Sequence, residues 1–371
     1  MKISLDWLRE FVPVDLPVPE LVERLTMIGL VVETVEERDG DTLLDVETYA
    51  NRPDTLGHLG MAREVAAMLG RPLVERSWPM TELDKPTTEL ADVQIRDEKL
   101  CPRYCGLVVR DVPVGPSPDW LRRRIEAMHL RPVNNIVDVS NYVLFATAQP
   151  IHAFDFGRIG GGRIVVRKAK RGETLVDLDG RELALGPDML VIADESRPVA
   201  LAGIIGGRDS GIGGATRDVF IESACFDPAG IRRTAKALGL ATDASYRFER
   251  GSDIGFPPKA ALMTASLLTQ MGGRASRGLI DVYPKPAKPV SLRLRPRRIA
   301  GLLGVEVPDT FVEDVLMRLG FRVESAPKGA WRVEVPTFRV DIDREADLIE
   351  EIARFYGYDR IPSEFTPVKS F

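Results

Sequence analysis

The sequence of 371 residues is poor in cysteine and histidine, with three of each. The three cysteines, Cys101, Cys105 and Cys225, form no even disulfide framework, and no second Cys or His pair stands at zinc spacing from Cys101 and Cys105. Reduced structural thiols are therefore expected. No apolar run approaches the length of a membrane span, and the N-terminus lacks the apolar core of a secretory signal. These absences predict a cytoplasmic protein without a membrane segment or a zinc site.

An excess of positive charge is also missing, because the formal net charge is -5. This argues against a protein that coats nucleic acid without specificity, although RNA binding needs only a local basic face. The composition, with 44% apolar and 28% charged residues, is that of an ordinary globular protein. The length suggests two or three domains with ample buried core.

The positions of prolines and glycines along the sequence predict an α+β protein of several domains. Residues 1–80 are interpreted as a small α/β domain, whose end overlaps a linker-like run over 77–88. Residues 90–283 are predicted to form a central mixed-sheet domain. The tract YPKPAKP then separates a small domain over 290–362 from it, because proline stiffens the chain and removes hydrogen-bond donors. Residues 363–371 are predicted to form a tail.

Individual elements follow from apolar periodicity and from helix-ending glycines. In the first domain we predict helices over 19–27 and 60–69 and a strand over 30–37. The last domain is predicted to hold a strand (SLRLR) and a two-stranded ribbon (FRVES and WRVEVP). Its predicted helices cover 296–303, 309–319 and 344–356.

The stretch over 132–156, PVNNIVDVSNYVLFATAQPIHAFDF, sets polar amides and one imidazole among apolar residues with few charges. Such groups need partners when they are buried. One amide is ordinary, whereas several in a short run suggest a polar pocket. The polar residues are Asn134, Asn135, Asn141, Gln149 and His152.

A second dense stretch, ATDASYRFERG over 241–251, begins with small residues and continues with alternating aromatic and charged residues. Small side chains leave room for a ligand, and arginines bind anions. This stretch is therefore a second candidate for a binding site.

At these two stretches the sequence resembles the beta subunit of bacterial phenylalanyl-tRNA synthetase. The similarity extends over nearly the whole chain, and its motifs are long and ordered. They are MKISLDWLREFV, LTMIGLVVE, NRPD, GMAREVAAMLG, CPRYCGLVV, GGRDSG, IES and PTFRVDIDREADLIEEIARFYGYDRIP. The resemblance implies that the central domain is an editing domain, which hydrolyses tyrosine wrongly attached to tRNA(Phe). It also implies a DNA-binding-like fold for residues 290–362.

The sequence departs from the family pattern in two places. The OB-fold that the family inserts in its first domain is missing, because VEERDGDTLL over 35–44 bridges its position. The sequence also stops at Phe371, where the family subunit continues into domains that pair with the alpha subunit and bind the anticodon. The family's ATP and phenylalanine sites lie on the alpha subunit. Aminoacylation by this chain alone is therefore not expected, and the isolated chain is expected to be a monomer.

The resemblance assigns roles to particular residues of the pocket. Glu222 matches the position that recognises the tyrosine hydroxyl, and the alternative is a buried carboxylate paired with an arginine. Gly206 and Ala244 match positions that line the amino-acid pocket, although a turn glycine and a core alanine are also ordinary. His152 is assigned to the ester end of the substrate, and the alternative is a satisfied core histidine. Thr242 and Asn141 are expected to assist by hydrogen bonding.

No Ser/His/Asp spacing can be identified, and water can hydrolyse an ester without an enzymic nucleophile. Positioned water and substrate hydroxyls are therefore expected to carry the chemistry. The acceptor end of tRNA(Phe) must reach the pocket, so arginines are expected to contact phosphates. The candidates are Arg232, Arg233, Arg247 and Arg250, although charged helix faces are usually only solvated.

The carboxylates Asp347, Glu350 and Glu351 fall on neighbouring positions of a predicted helix, with Asp341 before it. They are either a hard-cation site or an ordinary acidic helix start. The resemblance associates these positions with Mg²⁺ at the contact with the alpha subunit, and without that partner the site is expected to be incomplete. A second hypothesis for the whole chain is a noncatalytic piece that binds tRNA or assembles with the alpha subunit.

Overall fold

A computed structural model describes residues 1–362. Its first part is a three-stranded antiparallel sheet in the order β1-β3-β2 with helices packed around it. Its elements are β1 (Lys2–Ser4), α1 (Leu5–Leu8), α2 (Val18–Met27), β2 (Val32–Arg38), β3 (Asp41–Val46) and α3 (His58–Leu69). The helix α3 ends at Gly70, whose φ of 62° is the left-handed C-terminal cap that glycine favours. The tail over 363–371 lies outside the described residues.

The turn between β2 and β3 is a tight one. Asp39 and Gly40 both have positive φ, 51° and 82°. Two successive residues with positive φ are typical of the hairpin turn whose twist matches that of its strands. The hairpin occupies the region of 35–44 where the resemblance implies that an OB-fold is missing.

The central part contains a six-stranded and a five-stranded sheet. Its first elements are β4 (Glu82–Pro86), β5 (Asp92–Ile95), β6 (Arg103–Arg110), α4 (Asp119–Ala127), α5 (Asn135–Thr147), β7 (Ile151–Asp155), β8 (Arg163–Lys168), β9 (Thr174–Val176) and β10 (Glu182–Ala184). They are followed by β11 (Leu190–Ala193), β12 (Pro198–Leu201), β13 (Ile205–Gly206), β14 (Val219–Cys225), α6 (Pro228–Leu238), α7 (Asp243–Phe248), α8 (Pro257–Gln270), β15 (Arg274–Arg277) and β16 (Ile280–Val282).

The larger sheet runs β4-β15-β6-β14-β7, with β16 also paired to β6. The smaller one runs β13-β12-β11-β8-β5, and β9 and β10 form a separate hairpin. The run over 77–88 differs from the linker-like prediction, because β4 lies within it and pairs in parallel with β15. The predicted mixed sheets of an α+β protein are confirmed.

The strand β14 separates two hydrophobic cores. Val219 and Ile221 face the core shared with the N-terminal part, whereas Phe220 and Ala224 face the core of the five-stranded sheet. This alternation follows from the period of two in a strand. Glu222 therefore projects on the same side as Phe220, towards the five-stranded sheet.

The last part has a three-stranded antiparallel sheet, β17-β19-β18, and its own hydrophobic core. Its elements are β17 (Val290–Leu294), α9 (Pro296–Leu303), α10 (Asp309–Arg318), β18 (Arg322–Ala326), β19 (Ala330–Val335) and α11 (Glu345–Tyr356). The predicted two-stranded ribbon is correct but incomplete, since β17 adds to its edge. The division into domains stays a prediction, as does the DNA-binding-like character of this part.

Candidate functional site

An open cavity, of about 600 Å³ including the solvent space at its mouth, lies where β7, β13, β14 and α7 meet. His152, Gly206, Glu222 and Ala244 all line it, so the structure brings together residues from four separate segments of the sequence. The remaining lining residues are apolar or glycine: Pro150, Ile151, Leu178, Ala200, Leu201, Gly203, Ile204, Ile205 and Phe248. An apolar cavity with two ionisable side chains has the usual character of a small-ligand site.

Glu222 lies on β14 with Gly106 of β6 on one side and His152 of β7 on the other. The side chain is buried, and its Oε2 accepts a hydrogen bond of 2.7 Å from the Tyr104 hydroxyl. Burial raises the pKa of Glu222 to about 7, and the Tyr104 hydrogen bond opposes this rise. The alternative of an arginine-paired carboxylate does not match the contacts among residues 1–362, where Tyr104 is the partner.

His152 is half-buried beside Phe154, whose ring it meets edge-on with ring centroids 4.3 Å apart. Burial lowers the pKa of His152 to about 4, so that the imidazole is neutral near pH 7. Its Nε2 has no hydrogen-bond partner among the described residues. A buried nitrogen without a partner is costly, so this atom is a candidate for contact with a ligand or water in the cavity.

Gly206 packs directly against His152. A Cβ atom at position 206 would lie 2.8 Å from His152 Nε2 and would also collide with Cε1. The backbone of Gly206 is not among those with positive φ. Glycine is therefore required here by the close approach of the imidazole rather than by backbone conformation.

Ala244 is half-buried on α7, and Phe248 lines the cavity one turn further along that helix. Thr242 does not line the cavity but caps the same helix. Its Oγ1 accepts from Ser245 N at 3.0 Å and donates to the carbonyl of Ile204 at 2.8 Å. Thr242 thus fixes α7 to the 203–206 segment, which is a positioning role rather than the predicted contact with substrate.

Asn141 lies half-buried on α5 and does not line the cavity. Sequence reasoning assigned no individual role to Tyr104, Leu178 or Phe248, although Phe248 lies in the candidate stretch over 241–251. A tyrosine within the apolar run of β6 was the available signal for Tyr104, because a buried phenol needs a hydrogen-bond partner.

The predicted tRNA-binding arginines fall into different environments. Arg232 and Arg233 are exposed on α6, which packs beside α7. Arg250 is partly buried, lies over the Tyr246 ring and pairs with Glu249 at 2.6 Å. Arg247 is buried and donates to the carbonyls of Leu56 and Asp243. Its guanidinium is therefore a structural group of the interior, out of reach of a phosphate at the surface.

Three of the four predicted metal ligands, Asp341, Asp347 and Glu351, pair with arginines. Arg339 donates to Glu351 at 2.6 Å and to Asp341 at 2.7 Å, and all three side chains are almost fully buried. Asp347 caps the start of α11 by accepting from the backbone N of Arg344, whereas Glu350 is exposed. Within residues 1–362, no cluster of three or more His, Cys, Asp or Glu side chains could hold a metal ion. The carboxylates as arranged here do not fit a preformed Mg²⁺ site.

The Arg339 cluster continues into the N-terminal part. Arg354 donates to Glu351 at 2.6 Å and to Glu64 at 3.1 Å. Arg52 pairs with Glu64 and, at 2.9 Å, with Asp54. We call this set, Arg52, Asp54, Glu64, Arg339, Asp341, Glu351 and Arg354, the buried ion network. It joins α3 to α11 across the interface of the first and last parts.

Comparison with family models finds a B3/4 domain over residues 100–273 and a tRNA synthetase B5 domain over 292–358. The cavity lies within the first of these ranges. Separately, none of the helices in residues 1–362 combines the length and the apolarity needed to cross a membrane.

Curated relatives are phenylalanine–tRNA ligase beta subunits. The chain is 46% identical over 327 residues to that of Syntrophus aciditrophicus, covering 87% of this chain and 40% of the relative. It is 44% identical over 360 residues to that of Salinibacter ruber, covering 96% of this chain and 42% of the relative. The chain thus spans about 40% of the length of the curated relatives it matches.

Among solved structures, the chain is similar in fold to an N-terminal fragment of the phenylalanyl-tRNA synthetase beta subunit from Pyrococcus horikoshii. The TM-score is 0.53 at 18% identity, and the match covers 96% of this chain and 99% of that one. The two domain models, the order of the motifs and the curated relatives agree with one another. The chain belongs to the family of phenylalanine–tRNA ligase beta subunits and contains its B3/4 and B5 domains.

Proposed function

We propose that the cavity hydrolyses the ester of tyrosine wrongly attached to tRNA(Phe), which makes this chain the editing part of a phenylalanine–tRNA ligase. The observation that carries the proposal is Glu222, a buried carboxyl at the wall of an otherwise apolar cavity. Burying a carboxyl without a charged partner costs free energy. A hydroxyl that entered the cavity and bonded to this group would offset part of that cost.

This arrangement discriminates between tyrosine and phenylalanine. The two amino acids differ by one hydroxyl, and a site with a buried polar group rejects the ligand that leaves the group unpaired. The apolar lining accepts the ring of either amino acid, so discrimination comes from Glu222. Ala244 leaves space for the ring, and a larger side chain there would fill the cavity.

Hydrolysis requires a water oxygen to attack the ester carbonyl carbon, after which the acyl bond to the ribose oxygen breaks and that oxygen takes a proton. His152, neutral and with a free Nε2 among the described residues, is suited to orient this water or to contact the ester. No covalent intermediate on the protein is needed. Arg232 and Arg233, exposed on α6, are proposed to contact phosphates near the acceptor end of the tRNA.

The other activities of a complete ligase are assigned to a larger assembly. We propose that the chain acts beside an alpha subunit, which would supply the ATP and phenylalanine sites, in the cytoplasm. Mg²⁺ would belong to that contact, because Asp341 and Glu351 are neutralised by Arg339 in this chain. No step of the proposed hydrolysis uses the metal.

The test is the rate of hydrolysis of tRNA(Phe) charged with tyrosine or with phenylalanine by the purified chain. We expect selective loss of the tyrosyl ester, reduced by Glu222→Ala and unchanged by Glu75→Ala, which removes an exposed carboxylate of the same type. Binding of the tRNA without hydrolysis by the folded chain would contradict the proposal and favour a noncatalytic scaffold.

A further inference from the structure

Tyr104 is a fully buried tyrosine whose hydroxyl points at the candidate site. It lies on β6 opposite Ala224 of β14, in the same core as Phe154 and Phe220. Its hydroxyl is 2.7 Å from Glu222 Oε2. Burial and the neighbouring Glu222 raise the pKa of Tyr104 well above its ordinary value. The phenol therefore stays protonated and acts as a donor to the carboxyl group.

Because of this hydrogen bond, one carboxyl oxygen of Glu222 is bonded to the protein and the other is left for a ligand in the cavity. Oε2 is held by Tyr104, whereas Oε1 accepts no hydrogen bond from residues 1–362. Because Glu222 lines the cavity, Oε1 is the oxygen left for a ligand. A carboxyl group fixed at one oxygen also has a fixed direction at the other.

We propose that Tyr104 is a specificity-determining positioning residue, which holds Glu222 Oε2 so that Oε1 meets the phenolic hydroxyl of a bound tyrosyl group. The inference rests on the proposed editing function and adds a residue to it. Tyr104 is separated from the cavity by Glu222 and does not line it, so its effect on substrate passes through that carboxyl group.

The physical reason is that removal of the phenol oxygen changes Glu222 in two ways. The carboxyl group loses the one hydrogen bond that it accepts from the described residues and is free to rotate. Its pKa also rises further, because the Tyr104 hydrogen bond is what lowers it. Both changes weaken Glu222 as an acceptor for the tyrosine hydroxyl, and neither affects a phenylalanyl ligand.

The experiment compares Tyr104→Phe with the wild-type chain in hydrolysis of tyrosyl- and phenylalanyl-tRNA(Phe). We expect Tyr104→Phe to lower kcat/KM for the tyrosyl ester on the order of tenfold, with little change for the phenylalanyl ester. The matched control is Tyr142→Phe, which removes a phenol oxygen from a buried tyrosine stacked on Trp7, away from the cavity. We expect it to keep wild-type selectivity.

A pH profile separates positioning from a general loss of structure. On acidification, the selectivity of Tyr104→Phe should fall off at a higher pH than that of the wild type, whereas a merely loosened fold would lower activity at every pH. A second readout needs no substitution: the ¹³Cζ resonance of Tyr104 in the wild-type chain should shift on addition of free tyrosine and not of phenylalanine. This covers the case in which Tyr104→Phe fails to fold.

The outcomes distinguish the inference from the function on which it rests. Selective wild-type hydrolysis together with unchanged selectivity and pH profile in folded Tyr104→Phe would overturn the role of Tyr104 alone. A ¹³Cζ resonance of Tyr104 that does not shift when tyrosine is added would also overturn the role of Tyr104. A wild-type chain that hydrolyses neither ester would overturn the proposed function and the inference with it.

Discussion

His152 and Glu222 are directly opposite each other on the antiparallel strands β7 and β14. Residues in this relation have Cβ atoms about 5 Å apart and project to the same face of the sheet. Burial acts on both groups, but it raises the pKa of Glu222 and lowers that of His152. Near pH 7 the imidazole is therefore neutral and the carboxyl group is only about half ionised, which suits a cavity that receives an aromatic ring.

Gly206→Ala is expected to disable the cavity. The new Cβ would lie 2.8 Å from His152 Nε2, so the imidazole would have to move. We expect loss of tyrosyl-ester hydrolysis and a decrease of about 1–3 kcal/mol in the free energy of unfolding, measured by denaturant titration. Gly214→Ala is the control, because no atom lies within 4 Å of a Cβ at that position. Full activity in folded Gly206→Ala would contradict the placement of His152.

Glu222→Gln is expected to change the pH dependence of stability. The folded-state pKa of about 7 exceeds the value of 4.5 for a free side chain, so the folded state binds the proton more tightly. The wild-type chain should then lose up to about 3 kcal/mol from this group as pH rises from about 5 to about 8. The amide of the variant does not titrate, so this loss should be absent from it.

The measurement is the free energy of unfolding of both proteins across that range. The stability of Glu222→Gln relative to wild type should increase with pH. A constant difference between the two proteins would show that Glu222 does not titrate in this window.

Glu351→Gln is expected to break the buried ion network. Burial opposes ionisation, but Arg354 and Arg339 hold the pKa of Glu351 well below its ordinary value. Removing one partner from a buried ion pair costs about 3–5 kcal/mol, which thermal or denaturant unfolding would measure. The loss in free energy of unfolding caused by Glu351→Gln should become smaller below about pH 4.3. At lower pH the wild-type chain gradually loses the stabilisation that ionised Glu351 provides.

The neighbouring Glu350→Gln provides the control for that experiment. Glu350 is exposed, so we expect a change within about 0.5 kcal/mol. Equal effects of the two substitutions would contradict the assignment of Glu351 to the interior.

Replacement of the surface arginines is expected to weaken tRNA binding without loss of stability. Arg232→Ala and Arg233→Ala should each raise the Kd for tRNA(Phe) and reduce the slope of log K against log salt by about 1. Arg247→Ala should instead destabilise the fold, because its buried guanidinium bonds to the carbonyl of Leu56 and to the side chain of Asp243. Salt-dependent binding and thermal unfolding together distinguish the two classes, and unchanged salt slopes would exclude α6 from the tRNA contact.

We expect Mg²⁺ to leave the thermal stability of the isolated chain unchanged. Arg339 already supplies the positive charge beside Asp341 and Glu351, so a cation would have to displace it. Thermal unfolding with and without millimolar Mg²⁺ should give the same Tm. A rise in Tm that disappears in Asp347→Asn would show a functional Mg²⁺ site in this chain.

Sequence reasoning succeeded where the signal is local. The helix over 296–303 begins at a proline and ends before Gly304, and the structure gives the same bounds. It failed where a short polar segment depends on a distant partner. The strand β4, with the sequence ELDKP, has no apolar alternation, and its partner β15 lies far along the chain.

The candidate site shows the same limit. The resemblance selected Glu222, His152, Gly206 and Ala244, which the fold brings to one cavity. It could not reveal that Tyr104 bonds to Glu222, because the two are 118 positions apart. Arginine usually lies at the surface, so the burial of Arg247 against Leu56, 191 positions away, was also beyond local patterns.

The tight turn at Asp39 and Gly40 has a further consequence for engineering. The two strands β2 and β3 enter and leave this exposed turn side by side, and they stay in register from Arg38↔Asp41 to Thr34↔Asp45. A foreign domain whose own termini lie close together could be grafted there without shifting the strand pairing. The hairpin is thus an insertion site, at which an RNA-binding domain or a fluorescent protein could be added while the cavity stays intact.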